Sequence, residues 1–189
     1  MAMTMAKLRK DMERTVDKTH GKRAFLILGP ESSGCRFFTK ILVNSGCVGS
    51  SVHRQPWDER DPTEDKIVWR RSVPHSNRWP DVEGMIDRLQ NLGYKVMAFV
   101  TTREWHSMIK SQIKAPHVSD YAEGYAKLQK SYPIIFKALD KKKVPFIVVS
   151  FEAMLYQGHE YLRETLKLAQ LDYKEVEIVD ANKKHYLNN

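Results

Sequence analysis

Apolar residues along this chain follow two rhythms. Short continuous runs at 24–28, 66–70, 94–100 and 144–149 are bounded by polar or turn residues and predict buried strands. Between them, apolar positions recur at steps of three and four. Phe37, Phe38, Ile41 and Leu42 form one such set; Val82, Met85, Ile86 and Leu89 form a second. Tyr121, Tyr125, Leu128, Tyr132, Ile135, Phe136 and Leu139 form a longer third. This spacing predicts helices after the first strand, over 81–92, and over 119–142 with a break or bend at Pro133. Further helices are expected over 104–114 and about 159–169. Gly46 and Gly93 stand where a left-handed residue ends a helix. Residues 47–65, with Pro56 and Pro62, read as a loop containing a short strand near 47–52. Met3, Met5, Leu8, Met12 and Val16, with Lys and Arg between them, predict a basic amphipathic helix over about 4–18, packed across the core or against a partner chain.

Strands separated by helices, each continuously apolar, predict a three-layer α/β domain whose parallel sheet has about four or five strands. Ligands of such sheets lie beyond the carboxyl ends of the strands. The loops after Leu28, Arg70, Val100 and Val149 are therefore expected around one site. The domain spans 24–171, between the N-terminal helical segment 1–23 and a polar tail, 172–189, that carries Lys183 and Lys184.

A formal net charge of +8 favours an anionic partner. The basic residues are dispersed and carry no motif that reads DNA or RNA, so no specific nucleic acid is expected. A nucleotide cosubstrate or a sulfated or phosphorylated acceptor suits the charge equally. No apolar run reaches the length of a membrane span, and the N-terminus lacks the apolar core of a secretory signal. With only Cys35 and Cys47, this places the chain in the cytoplasm by expectation. Neither cysteine has metal-ligand spacing to a histidine, so no metal is expected.

The first predicted strand runs into Gly29-Pro30-Glu31-Ser32-Ser33-Gly34 and then a helix. Strand, glycine-bounded loop and helix aim free N–H groups and a positive helix end at an anion, and the glycine spacing is that of the nucleotide-binding P-loop. Cys35 stands where the phosphate-reaching lysine of that motif would be, and Arg36 where its Mg²⁺-binding hydroxyl would be. The loop suits a phosphate group without Mg·ATP in the usual manner.

Three segments, each after a predicted strand, resemble in order the signatures of sulfotransferases that use 3′-phosphoadenosine 5′-phosphosulfate (PAPS). The first is Glu31 to Phe37. The second contains Arg103 and, eight residues on, Ser111. The third is Ser150-Phe151-Glu152 before Leu155. The chain is similar to a small member of the phage or bacterial type. The resemblance implies a P-loop fold and sulfuryl transfer from PAPS to a hydroxyl or amine of a glycan or small molecule, with adenosine 3′,5′-bisphosphate as product and no metal. It implies a 5′-phosphosulfate site at Ser32, Ser33, Gly34, Cys35 and Arg36, and a 3′-phosphate site at Arg103 and Ser111. His75, after the second strand, is the first candidate for the base, with Glu31 and His53 in reserve. Glu152 is assigned to structure. Two departures are plain: the loop lysine of many cytosolic members is missing, and so is the glycine-rich segment that closes over the cofactor. Lys183 and Lys184 are the substitutes the tail offers. A nucleotide or nucleoside kinase and a non-catalytic nucleotide- or anion-binding module are the alternatives, and a homodimer is open.

Overall fold

The first apolar run becomes an inner strand of the sheet. In the computed structural model, which describes residues 21–52 and 54–182, strand β1 (Arg23–Gly29) leads through a turn into helix α1 (Cys35–Asn44). A 3-10 turn at Pro56–Asp58 precedes β2 (Lys66–Ser72) and α2 (Val82–Asn91). Next come β3 (Lys95–Thr102), α3 (Trp105–Lys114), α4 (Tyr121–Lys141), β4 (Phe146–Ser150) and α5 (Phe151–Leu168). The helix expected at 4–18, together with His53, Lys183, Lys184 and His185, lies outside the described residues.

The four strands form one all-parallel sheet in the order β2-β1-β3-β4. Side chains alternate across β1. Ala24, Leu26 and Leu28 join a core cluster with Val82, Ile86 and Leu89 of α2 and Ile135 and Leu139 of α4. Phe25 and Ile27 point the other way, among Phe38, Ile41 and Leu42 of α1 and Phe151, Leu162 and Leu166 of α5. A strand covered on both faces needs apolar residues at every position, which is why its sequence shows no alternation. The result is the expected three-layer α/β domain.

Several boundaries differ from the periodicity. The short strand near 47–52 is a single parallel bridge between Val48 and Ile67. Helix α4 runs through Pro133 as one element, and the break occurs instead in α5, where Gly158 leaves helical angles at φ 59°. The segment after that kink is the helix expected over about 159–169; a further helical segment precedes it, begun at Phe151 by Ser150, which accepts from Ala153 N at 3.2 Å. The final strand is an edge: Phe146 and Val148 are exposed and Val149 is buried.

The connections from β1 to β2 and from β2 to β3 place their strands on opposite sides of β1. The strand order therefore reverses between β1 and β3, and the region beyond their carboxyl ends, the switch-point crevice of such sheets, is their usual ligand position.

Candidate functional site at the β1–β3 crevice

The turn after β1 is held against the end of β3 by hydroxyl groups. Ser33 Oγ donates to Pro30 O at 2.7 Å and lies 2.7 Å from Thr101 Oγ1, which in turn lies 2.9 Å from Cys35 Sγ. The contact requires glycine at position 29, since a Cβ there would stand 2.4 Å from Thr101 Oγ1. Ser32 and Gly34 take positive φ, 67° and 99°, and this reverses the chain into α1. Helices α2, α3, α4 and α5 each begin with a side-chain cap, from Asp81, Glu104, Asp120 and Ser150; α1 has none. Its first turn closes with Phe38 N donating to Gly34 O, so the N–H groups before Phe38 have no partner within the helix. Uncapped donors and the helix dipole make this terminus favourable for an anion.

Arg103 follows β3 and is buried. Its Nη1 donates to Ser32 O at 3.0 Å, its Nε and Nη2 to Asn182 Oδ1 at 2.8 and 2.5 Å, and its Nη2 to Ala181 O at 3.2 Å. The guanidinium lies over the Phe151 ring, 4.8 Å from its centroid. Ser111 is buried on α3. Glu152 Oε1 accepts from Glu104 N at 3.0 Å and its Oε2 from Ser150 Oγ at 3.3 Å, joining the β4–α5 junction to the start of α3.

On the other side of the β1 turn, Glu31 is 8% exposed although its carboxylate is ionisable, and it is surrounded by donors. His75 Nδ1 is 2.6 Å from Oε1, Ser76 N donates to Oε2 at 3.0 Å, and His117 Nδ1 lies 3.4 Å from Oε2. Gln112 Nε2 donates to Glu31 O at 2.7 Å. The bond through Nδ1 turns the Nε2 edge of His75 away from Glu31, and the His75 side chain is 68% exposed. Two predicted residues far apart in sequence thus form a carboxylate–imidazole pair.

The structure brings Glu31 to His75 and Ser32 to Arg103, while Arg36 stands exposed on the first turn of α1. The Cys35 side chain faces inward, and burial pushes its thiol pKa up despite the hydroxyls bonded to it. Only its backbone can serve an anion at the loop. Sequence reasoning passed over His117, Asn182 and Gln112. His117 reaches Glu31 from the turn after α3, where its backbone is tied to Gln112 O at 2.9 Å and to Lys127 Nζ at 3.0 Å. Nothing local in the sequence marks that contact. Trp57 and Trp69 are buried, with Trp57 Nε1 donating to Val68 O at 2.9 Å. Among the described residues no helix is long and apolar enough to cross a membrane. Compared with known proteins, the chain matches no protein-family model, and no curated protein is significantly similar to it in sequence.

Proposed function

We propose that the protein is a sulfotransferase that moves the sulfuryl group of PAPS to a hydroxyl or amine on a glycan or small-molecule acceptor. The observation that carries this reading is the meeting of three features at the switch-point crevice. They are the uncapped start of α1, the buried Arg103 and the Glu31–His75 pair. The first two suit the two anionic ends of a 3′,5′-bisphosphorylated nucleotide, and the third suits proton removal from the acceptor.

Arg103 already presents its donors to oxygen acceptors, Asn182 Oδ1 and Ala181 O, and the planar fork that meets them also fits a 3′-phosphate. In the reaction, the acceptor oxygen or nitrogen attacks sulfur and the bond from sulfur to the 5′-phosphate oxygen breaks. The electron pair leaves with adenosine 3′,5′-bisphosphate, and the acceptor proton passes to Nε2 of His75. Glu31, bonded to Nδ1, holds the tautomer with its lone pair on Nε2 and balances the imidazolium that forms. Cationic and dipolar groups around the loop offset the negative charge building on the leaving phosphate.

Thermal unfolding with saturating adenosine 3′,5′-bisphosphate in EDTA tests the reading. At a hundred times Kd, a ligand that binds only the folded chain should raise Tm by roughly 5–10 °C. AMP at the same concentration should raise it less. If only Mg·ATP stabilises the protein, the kinase reading replaces this one.

A further inference from the structure

For Arg103 to hold a phosphate, something must leave it first. The edge of its guanidinium formed by Nε and Nη2 is occupied by the end of the tail. Both donors converge on one oxygen, Asn182 Oδ1, at 2.8 and 2.5 Å, and Nη2 also reaches Ala181 O at 3.2 Å. One neutral amide oxygen shared by two donors is a modest partner for this edge. A tetrahedral oxyanion offers it one charged oxygen per donor. The tip also carries negative charge of its own, because Asn182 N donates to Asp180 Oδ1 at 2.9 Å. A phosphate on Arg103 would be repelled by that carboxylate, so phosphate and tip exclude each other there.

Arg103 does not depend on the tip for its position. Its Nη1 donates to Ser32 O at 3.0 Å, and its guanidinium lies over the Phe151 ring. The tail likewise has anchors that the tip does not share. Tyr173 OH lies 2.7 Å from His159 Nδ1, beside the kink in α5, and Val176 is buried. Residues 177–182 belong to no helix or strand, Ile178 and Ala181 are only partly buried, and Val179 is 59% exposed. Few contacts therefore hold the tip besides those to Arg103, and it can swing out while the rest of the tail and the arginine stay in place.

We infer that the tail tip, Ala181 and Asn182, is a built-in competitor for an anion site at Arg103. It occupies the Nε–Nη2 edge in the free protein and is displaced when a tetrahedral oxyanion binds. Within the sulfotransferase reading, on which the identity of the ligand rests, that oxyanion is the 3′-phosphate of the nucleotide. The apparent affinity is then the intrinsic one reduced by the fraction of chains whose tip is away from Arg103. Weakening the tip contact tightens binding, and strengthening it weakens binding.

Calorimetric titration of the full chain and its N182A and N182D variants tests this, with adenosine 3′,5′-bisphosphate, AMP and inorganic sulfate as probes. N182A removes the shared acceptor and should bind bisphosphate about 3- to 10-fold more tightly, the scale of one hydrogen bond. N182D sets a carboxylate on the guanidinium and should bind it about 10-fold more weakly. AMP, which lacks the 3′ group, should bind all three chains alike. In the wild type, saturating bisphosphate should speed amide hydrogen exchange over residues 177–182, and AMP should not. Weaker bisphosphate binding by N182A overturns the inference, because the tip would then be part of the nucleotide site. Equal bisphosphate binding by the three chains also overturns it, because Arg103 would then only tie the tail to the loop. If no chain prefers bisphosphate to AMP, the sulfotransferase reading falls and sulfate decides the matter alone. Tighter sulfate binding by N182A than by wild type keeps the competing tip, and equal binding removes it.

Discussion

Glu31 and Arg103 sit on either side of the same turn, and their partners give them different work. Glu31 accepts from Ser76 N and meets His75 Nδ1, so its carboxylate orients an imidazole rather than standing toward the crevice alone. Arg103 is spread over a loop carbonyl and two tail oxygens. Substitutions should therefore separate chemistry from binding. His75→Ala should lower turnover on a found acceptor about a hundredfold or more, the scale for losing a general base, with bisphosphate affinity nearly unchanged. Arg103→Ala should weaken bisphosphate by roughly 2–4 kcal/mol and leave AMP alone. Steady-state kinetics and calorimetry on the two variants check this. Normal turnover in His75→Ala would move the base elsewhere, and an unaltered preference for the 3′-phosphate in Arg103→Ala would remove the 3′ assignment.

At the scale of elements, the start of α4 shapes the site at second hand. Asp120 Oδ1 accepts from Glu123 N at 2.9 Å and Glu123 Oε2 accepts from Ser119 N at 2.7 Å, a reciprocal capping box just after His117. Glu123 Oε1 also holds Lys127, whose Nζ reaches His117 O. The Lys127 bond first, and then the Ser119 bonds, lower the Glu123 carboxyl pKa from its ordinary 4.5 to about 2. A carboxylate depressed in the folded state adds stability that is present above its unfolded pKa and lost as pH falls through the folded one. The difference in Tm between wild type and Glu123→Gln should therefore hold above pH 4.5 and shrink as pH drops from there toward 2. Thermal melts across that window check it; a difference that stays constant down to the lower limit would show that the carboxylate charge adds nothing to the cap.

For the whole molecule, the segment after α5 matters more than its polar composition suggests. Val176 is buried, and Tyr173, Ile178 and Ala181 pack against the cluster formed by α1, α5 and the sheet. The segment ends with Asn182 on Arg103. It straps one face of the domain and reaches the crevice, far from where its sequence position would suggest. Ending the chain at Leu171 should lower the unfolding free energy by at least about 2 kcal/mol, the value of burying one aliphatic side chain. Urea denaturation measures this, and an unchanged midpoint would mean that the tail does not pack on the core in solution.

Periodicity alone determined the layers. Continuous apolar runs must be buried on both faces, and helical spacing supplies the covering stripes, so β1, β2, β3 and their helices follow from local pattern and burial. The glycine-bounded turn and the loops that border the crevice were legible for the same reason, since parallel strands place their carboxyl ends together. Element ends were less so. Phe146 and Val148 are apolar yet exposed, because only the sheet order makes β4 an edge. The helical period at 159–169 found the segment after Gly158 but not the one before it, which the Ser150 cap starts at Phe151. Within the site, residue types on the predicted loops could be named, but pairings could not. The contacts of His75 and His117 with Glu31 and of Asn182 with Arg103 join residues tens of positions apart. No local spacing encodes such distances. They arise when strand order and packing bring separate loops to one end of the sheet, so the tertiary structure alone decided which side chains meet.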